Sequence, residues 1–190
     1  MKQGLSQALL RWLGWSIKGT IPNHGHFVII VAPHTSNWDF PLGVLVQWSL
    51  GMNANFIGKH QLFRWPFGWF FRALGGFPVN RGEKNNLVNT AVDLLQTQDN
   101  FILALAPEGT RKPVSRWKTG FYHIANQAQV PIYCVGFDFA SKQIVIREPL
   151  TPSGDIVPEM NEILNFFRGI EGKYPQPVPN YQPTQDGKTP

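Results

Sequence analysis

Three apolar runs, at residues 27–32 (FVIIVA), 101–105 (FILAL) and 132–137 (IYCVGF), constrain this chain more than any other feature. Each is continuous rather than alternating, rich in β-branched and aromatic side chains, and of strand length. A strand that is apolar on both faces has to be covered on both faces, as in a parallel sheet layered by helices. Helical periodicity fills the intervals. Residues 85–98 put Leu87, Ala91, Leu94 and Leu95 on one stripe, and 158–170 put Met160, Ile163, Leu164 and Phe167 on one face. Residues 39–50 and 120–128 are also expected to be helical, with shorter strands at 55–58, 77–79 and 143–147. This alternation over 190 residues predicts a single α/β domain with a largely parallel or mixed central sheet flanked by helices.

The two ends differ from this middle part, which spans 21–173. In residues 1–20, Leu5, Leu9, Trp12 and Leu13 recur at helical spacing beside Lys2, Arg11 and Lys18. That is a short amphipathic helix, whose stripe suits the domain's own core and a membrane interface equally. From Tyr174 onward, prolines at 175, 177, 179, 183 and 190 predict an extended or disordered tail over 174–190. A third unusual stretch, 62–77, carries Phe63, Trp65, Phe67, Trp69, Phe70 and Phe71 beside Arg64 and Arg72. It fits an apolar tunnel or core, and it fits a bilayer interface with arginines at the headgroups, which is the reading preferred here.

Composition narrows the partners. Seventeen Lys and Arg against 12 Asp and Glu leave a net charge of +5, while 15% of residues are charged and 13% aromatic. A basic, aromatic-rich chain suits a membrane surface, a phosphate-bearing substrate, an acidic carrier protein or a nucleic acid; no RNA-binding signature is present, and nucleic acid is not expected. Cys134 is the single cysteine, so an internal disulfide and a CxxC site are both excluded. No apolar run approaches the ~18–20 residues of a membrane-spanning helix. Arg11 and Gly14 interrupt the first twenty residues, which lack a signal peptide's apolar core. His24 and His26 form an H-x-H without an evident third ligand, so no metal site is expected.

The chemistry concentrates after the first apolar run, in Pro33-His34-Thr35-Ser36-Asn37-Trp38-Asp39. Five residues on a regular helix would leave His34 and Asp39 about 140° apart, and on a strand they would point to opposite faces. They meet only across a turn. Pro33 ends the strand, Thr35, Ser36 and Asn37 are turn and N-cap types, and Pro41 belongs in a first helical turn. His34 is thus expected at a strand's carboxyl end, where open α/β sheets bind ligands, with Asp39 in the first turn of the following helix. A histidine held by a carboxylate is a general base.

The segment resembles the H-x4-D motif of the glycerolipid acyltransferases, the lysophosphatidic-acid and glycerol-3-phosphate acyltransferase superfamily. Three more of that family's motifs follow in order. Gly76-Phe77-Pro78-Val79-Asn80-Arg81 resembles the second, Pro107-Glu108-Gly109-Thr110-Arg111 the third, and Val130-Pro131-Ile132 the fourth. The resemblance covers about residues 25–137. Pro33 stands where many members have asparagine, and Ala106 where phenylalanine is common.

The resemblance implies transfer of an acyl group from a thioester to a lipid alcohol, with His34 taking the acceptor's proton and Asp39 orienting it. A thiolate leaves readily, so activating the hydroxyl suffices; no G-x-S-x-G nucleophile elbow is present. By the same resemblance Arg81 and Arg111 bind the acceptor's phosphate, Gly109 and Thr110 form a tight turn beside it, and Glu108 orients Arg111 or accepts from an acceptor hydroxyl. Lys59 is a further phosphate-binding candidate. The donor implied is acyl-CoA or an acylated carrier protein, with no bound cofactor; Lys112, Arg116 and Lys118 suit its acidic groups and a solvated basic loop equally. The expected setting is the cytoplasmic side of a membrane, where the lysolipid acceptor resides.

Overall fold

The computed structural model describes residues 2–79 and 84–183. In chain order the elements are α1 (Lys2–Trp12), β1 (Ser16–Lys18), β2 (His26–Ala32), α2 (Asp39–Ser49), β3 (Ala54–Lys59), a 3₁₀ turn (His60–Phe63) and α3 (Gly68–Ala73). They continue with β4 (Gly76–Val79), α4 (Lys84–Thr97), β5 (Phe101–Leu105), α5 (Gly120–Ala128), β6 (Ile132–Asp138), β7 (Gln143–Ile146) and α6 (Ile156–Phe167). The strands form one sheet in the order β1-β7-β6-β2-β5-β3-β4. Strands β6, β2, β5, β3 and β4 are mutually parallel, β7 is antiparallel to β6, and β1 runs parallel to β7.

The continuous apolar runs become the three central strands because each of their faces meets a helical layer. Along β2, Phe27 and Ile29 pack with Leu10 of α1 and Leu42 and Val46 of α2. The alternate residues Val28, Ile30 and Ala32 pack on the other face with Ala91 of α4, Phe121 and Ile124 of α5, and Met160 and Phe167 of α6. Each of these larger side chains contributes about 1.5–3 kcal/mol by leaving water. This double coverage holds the ends of β2 and β5 in place, and those ends carry the site.

Three features were left open or unseen by the sequence expectations. The stripe on α1 does not face the core: Leu5 is 73% and Trp12 81% exposed, while Ser6 and Leu10 are buried. Helix α1 lies on α2 through this other face, with the Gln7 amide donating to the Ser49 carbonyl at 2.9 Å. Strand β1 escaped periodicity because three residues are too few to show a pattern. The aromatic stretch divides: Phe63 is buried and Phe71 half-buried, whereas Trp65, Phe67, Trp69 and Phe70 point outward. Among the described residues no helix is long and apolar enough to cross a membrane.

Candidate active site

Chain connections split at the centre of the sheet. From β2 the chain leaves through α2 on one face, toward β3; from β5 it leaves through α5 on the opposite face, toward β6. The adjacent carboxyl ends of β2 and β5 thus send their loops to opposite faces of the sheet, and the crevice between those loops is the place where α/β proteins bind ligands. Ile30 lies opposite Leu105 in the register, so turn residues three or four positions beyond that pair meet. His34 and Glu108 occupy those positions.

The turn after β2 closes around the Asp39 carboxylate. Its Oδ2 accepts the Thr35 N–H at 2.9 Å and the Ser36 N–H at 2.8 Å, and lies 3.1 Å from His34 Nδ1. Asp39 opens α2, where a carboxylate also favours the helix dipole. It is 3% exposed, and its Oδ1 has no hydrogen-bond partner among the described residues. His34 remains partly open, its side chain 24% exposed and lining the cavity. With Nδ1–H donating to the carboxylate, the ring's lone pair sits on Nε2.

Glu108 joins the two motif-bearing turns. Its Oε2 accepts the His34 backbone N–H at 2.7 Å. The sequence-based expectation that it orients Arg111 is not met: among the described residues Glu108 and Arg111 form no ion pair. A buried carboxyl group in this position is costly to ionise. Burial pushes its pKa from 4.5 up to about 7, against the lowering effects of the His34 N–H and the His34 ring. The turn itself needs Gly109. Its φ is +66°, and an added Cβ would stand 2.7 Å from Lys118 Nζ. That packing brings Lys118 directly against the third motif. The Thr110 hydroxyl is used locally, accepting the Lys112 N–H at 3.3 Å.

The other candidates are placed as follows. Arg111 is exposed and lines the cavity. Arg81 lies outside the described residues. Lys59 closes β3 with its backbone opposite Val79; its side chain is not among those described. His24 pairs with Asn23 and His26 with the Gln98 carbonyl, each at 2.7 Å, so the H-x-H rings serve the loop before β2. Among the described residues no group of three potential ligands could hold a metal.

A cavity of about 2020 Å³ opens at this crevice. His34, Glu108 and Arg111 supply polar groups to its wall, and Phe40, Phe56, Val135 and Phe137 an apolar branch under α2. His123 of α5 also lines it, its pKa lowered by burial. Sequence reasoning missed two contributors: the Thr35 and Ser36 N–H groups that hold Asp39, and segment 172–183, whose Asn180, Tyr181, Gln182 and Pro183 complete a wall. Turn-forming residue types were a signal for the first. For the second, proline spacing pointed away from a packed element.

The profile of the family described as Acyltransferase matches residues 16–138. A 1-acyl-sn-glycerol-3-phosphate acyltransferase of Streptococcus pneumoniae is 30% identical over 154 residues, covering 75% of this chain and 57% of the relative. The chain therefore spans little more than half that relative's length. The crystal structure of the 1-acyl-sn-glycerophosphate (LPA) acyltransferase PlsC from Thermotoga maritima superposes with a TM-score of 0.56 at 23% identity, covering 80% of this chain and 68% of that one. The likeness is one of fold.

Proposed function

The chain belongs to the acyltransferase family, and from that premise we propose that it moves a fatty acyl group from an acyl thioester to the free hydroxyl of 1-acylglycerol-3-phosphate. The observation that carries this reading is the His34–Asp39 pair, 3.1 Å apart, opening on the cavity at the split between crossovers. The relative's name supports the acceptor.

In this mechanism His34 Nε2 takes the acceptor's hydroxyl proton as the oxygen attacks the thioester carbonyl carbon. The tetrahedral adduct collapses, the C–S bond breaks, and the imidazolium returns its proton to the departing thiolate. Asp39 stabilises the imidazolium through Nδ1, and general-base help of this kind gives about 10²–10⁴-fold. Glu108 fixes the backbone that carries the base. Arg111, as a planar donor, holds the acceptor's phosphate. The apolar branch under α2 takes the acyl chain. The exposed cations Lys112, Arg116 and Lys118 face the phosphates of acyl-CoA or an acidic carrier protein. The outward Trp65, Phe67, Trp69 and Phe70, with Arg64 and Arg72, rest on the membrane that holds the acceptor.

The test is transfer from radiolabelled acyl-CoA, and separately from acylated carrier protein, to a panel of lysolipids. His34→Ala should lower turnover by about 10²-fold or more with the fold retained; retained turnover eliminates the mechanism. Arg111→Ala should weaken phosphorylated acceptors selectively, and equal loss on a neutral acceptor removes the phosphate assignment.

A further inference from the structure

Past α6 the chain does not leave the domain. Ile170 lies over Gly136, where an added Cβ would come within 2.9 Å of it. The Phe139 N–H donates to the Glu171 carbonyl at 2.8 Å, which fastens the segment to the carboxyl end of β6. It then crosses the turn after β2. Gly172 lies so close that a Cβ would stand 2.8 Å from Thr35 Oγ1 and 2.9 Å from Thr35 Cγ2. The Tyr174 N–H donates to the same Oγ1 at 3.2 Å, and Lys173 Nζ sits 4.9 Å over the Trp38 ring. Farther on, Gln176 Nε2 donates to the Arg111 carbonyl at 2.9 Å, in the turn after β5. Val178 and Tyr181 pack on the core, and Asn180 accepts from Arg168 at 2.7 Å.

We propose that residues 170–183 form a strap that sets the position of both motif-bearing turns, with Gly172 and Gln176 as its positioning residues. The inference rests on the acyl-transfer reading of His34, Asp39 and Arg111. Its polar contacts to these turns go to the groups that matter for that reading. Thr35 receives the strap on its hydroxyl and donates its own N–H to Asp39. Arg111 receives it on the carbonyl next to its side chain. Prolines 175, 177 and 179 restrict the segment to extended backbone before it binds, so ordering it costs little chain entropy. The composition that predicts disorder for an isolated tail instead stiffens a strap once there is a surface under it.

Three variants in the full chain test this: Gly172→Ala, Gln176→Glu, and Gly172→Ala combined with Thr35→Ala. The readouts are kcat and KM for each substrate, and hydrogen exchange at the Thr35 and Ser36 amides. Gly172→Ala should lower kcat about tenfold or more, because a misplaced turn moves the base. It should speed exchange at the two amides about tenfold. Thr35→Ala removes the two nearest atoms the new methyl meets and leaves Pro33 Cβ at 3.1 Å, so the loss in the double variant should be clearly smaller than the sum of the two single losses. Gln176→Glu places an acceptor against the Arg111 carbonyl and should raise KM for the phosphorylated acceptor with kcat changed less than about twofold.

Lowered thermal stability with unchanged kcat, KM and amide exchange overturns the strap, as does additivity in the double variant. If His34→Ala retains full transfer, the acyl-transfer reading falls. Exchange at Thr35 and Ser36 then decides the strap alone, since it needs no turnover.

Discussion

Replacing Glu108 with glutamine isolates one proton at the centre of the site. Glutamine keeps the shape and an oxygen for the His34 N–H, and it removes the charge. Glu108 is 8% exposed, and burial is the largest cause of its displaced pKa, followed by the His34 N–H, the His34 ring and Asp39. Because the folded-state value lies above the ordinary one, the native protein binds this proton more tightly than the unfolded chain. The stabilisation is therefore fully present below pH 4.5 and is lost as pH rises through about 7. At about 1.4 kcal/mol per pH unit, the interval from 4.5 to about 7 amounts to about 3 kcal/mol. Urea unfolding of both proteins from about pH 4 to pH 8.5 measures it by the linear extrapolation. Glu108→Gln should match the wild type at the acid end and exceed it by about 3 kcal/mol above neutrality, with the change inside that window. A flat difference profile, or one in which the wild type gains on the variant as pH rises, refutes the reasoning.

Asp39→Ala leaves two buried N–H groups without their acceptor, and at about 1–3 kcal/mol each it should cost about 2–6 kcal/mol in urea unfolding; a loss below about 0.5 kcal/mol would show that the turn holds itself. Trp65 and Trp69 are 93% and 71% exposed, so changing both to serine should leave stability within about 0.5 kcal/mol while reducing flotation with anionic vesicles. Unchanged flotation assigns membrane contact elsewhere. Cys134 is fully buried with its thiol pushed up to about 12, so a thiol reagent should label it in denaturant and not in the native protein. Rapid native labelling would contradict the packing of β6.

Much of the fold was legible in residue order because burial on both faces leaves a local mark. The runs at 27–32, 101–105 and 132–137 became β2, β5 and β6, and the periodic stretch at 85–98 became most of α4. The His34–Asp39 turn was legible too, since proline and small polar residues act within a few positions of themselves. Where the pattern was short or two-sided, it left the outcome open. The α1 stripe marks a face left outside the core, and three residues of β1 carry no period.

Tertiary structure decided everything that joins distant segments. Glu108 meets His34 because β5 pairs beside β2 in one register, and no local pattern near either residue encodes that pairing. Segment 172–183 is held in place because Thr35 and Arg111 offer an oxygen each where it crosses. Residue order specified which faces must be buried and which turns must form, through interactions over a few residues. Which turns would converge was settled by sheet order and crossover direction, which depend on the whole chain finding cover for both faces of the sheet.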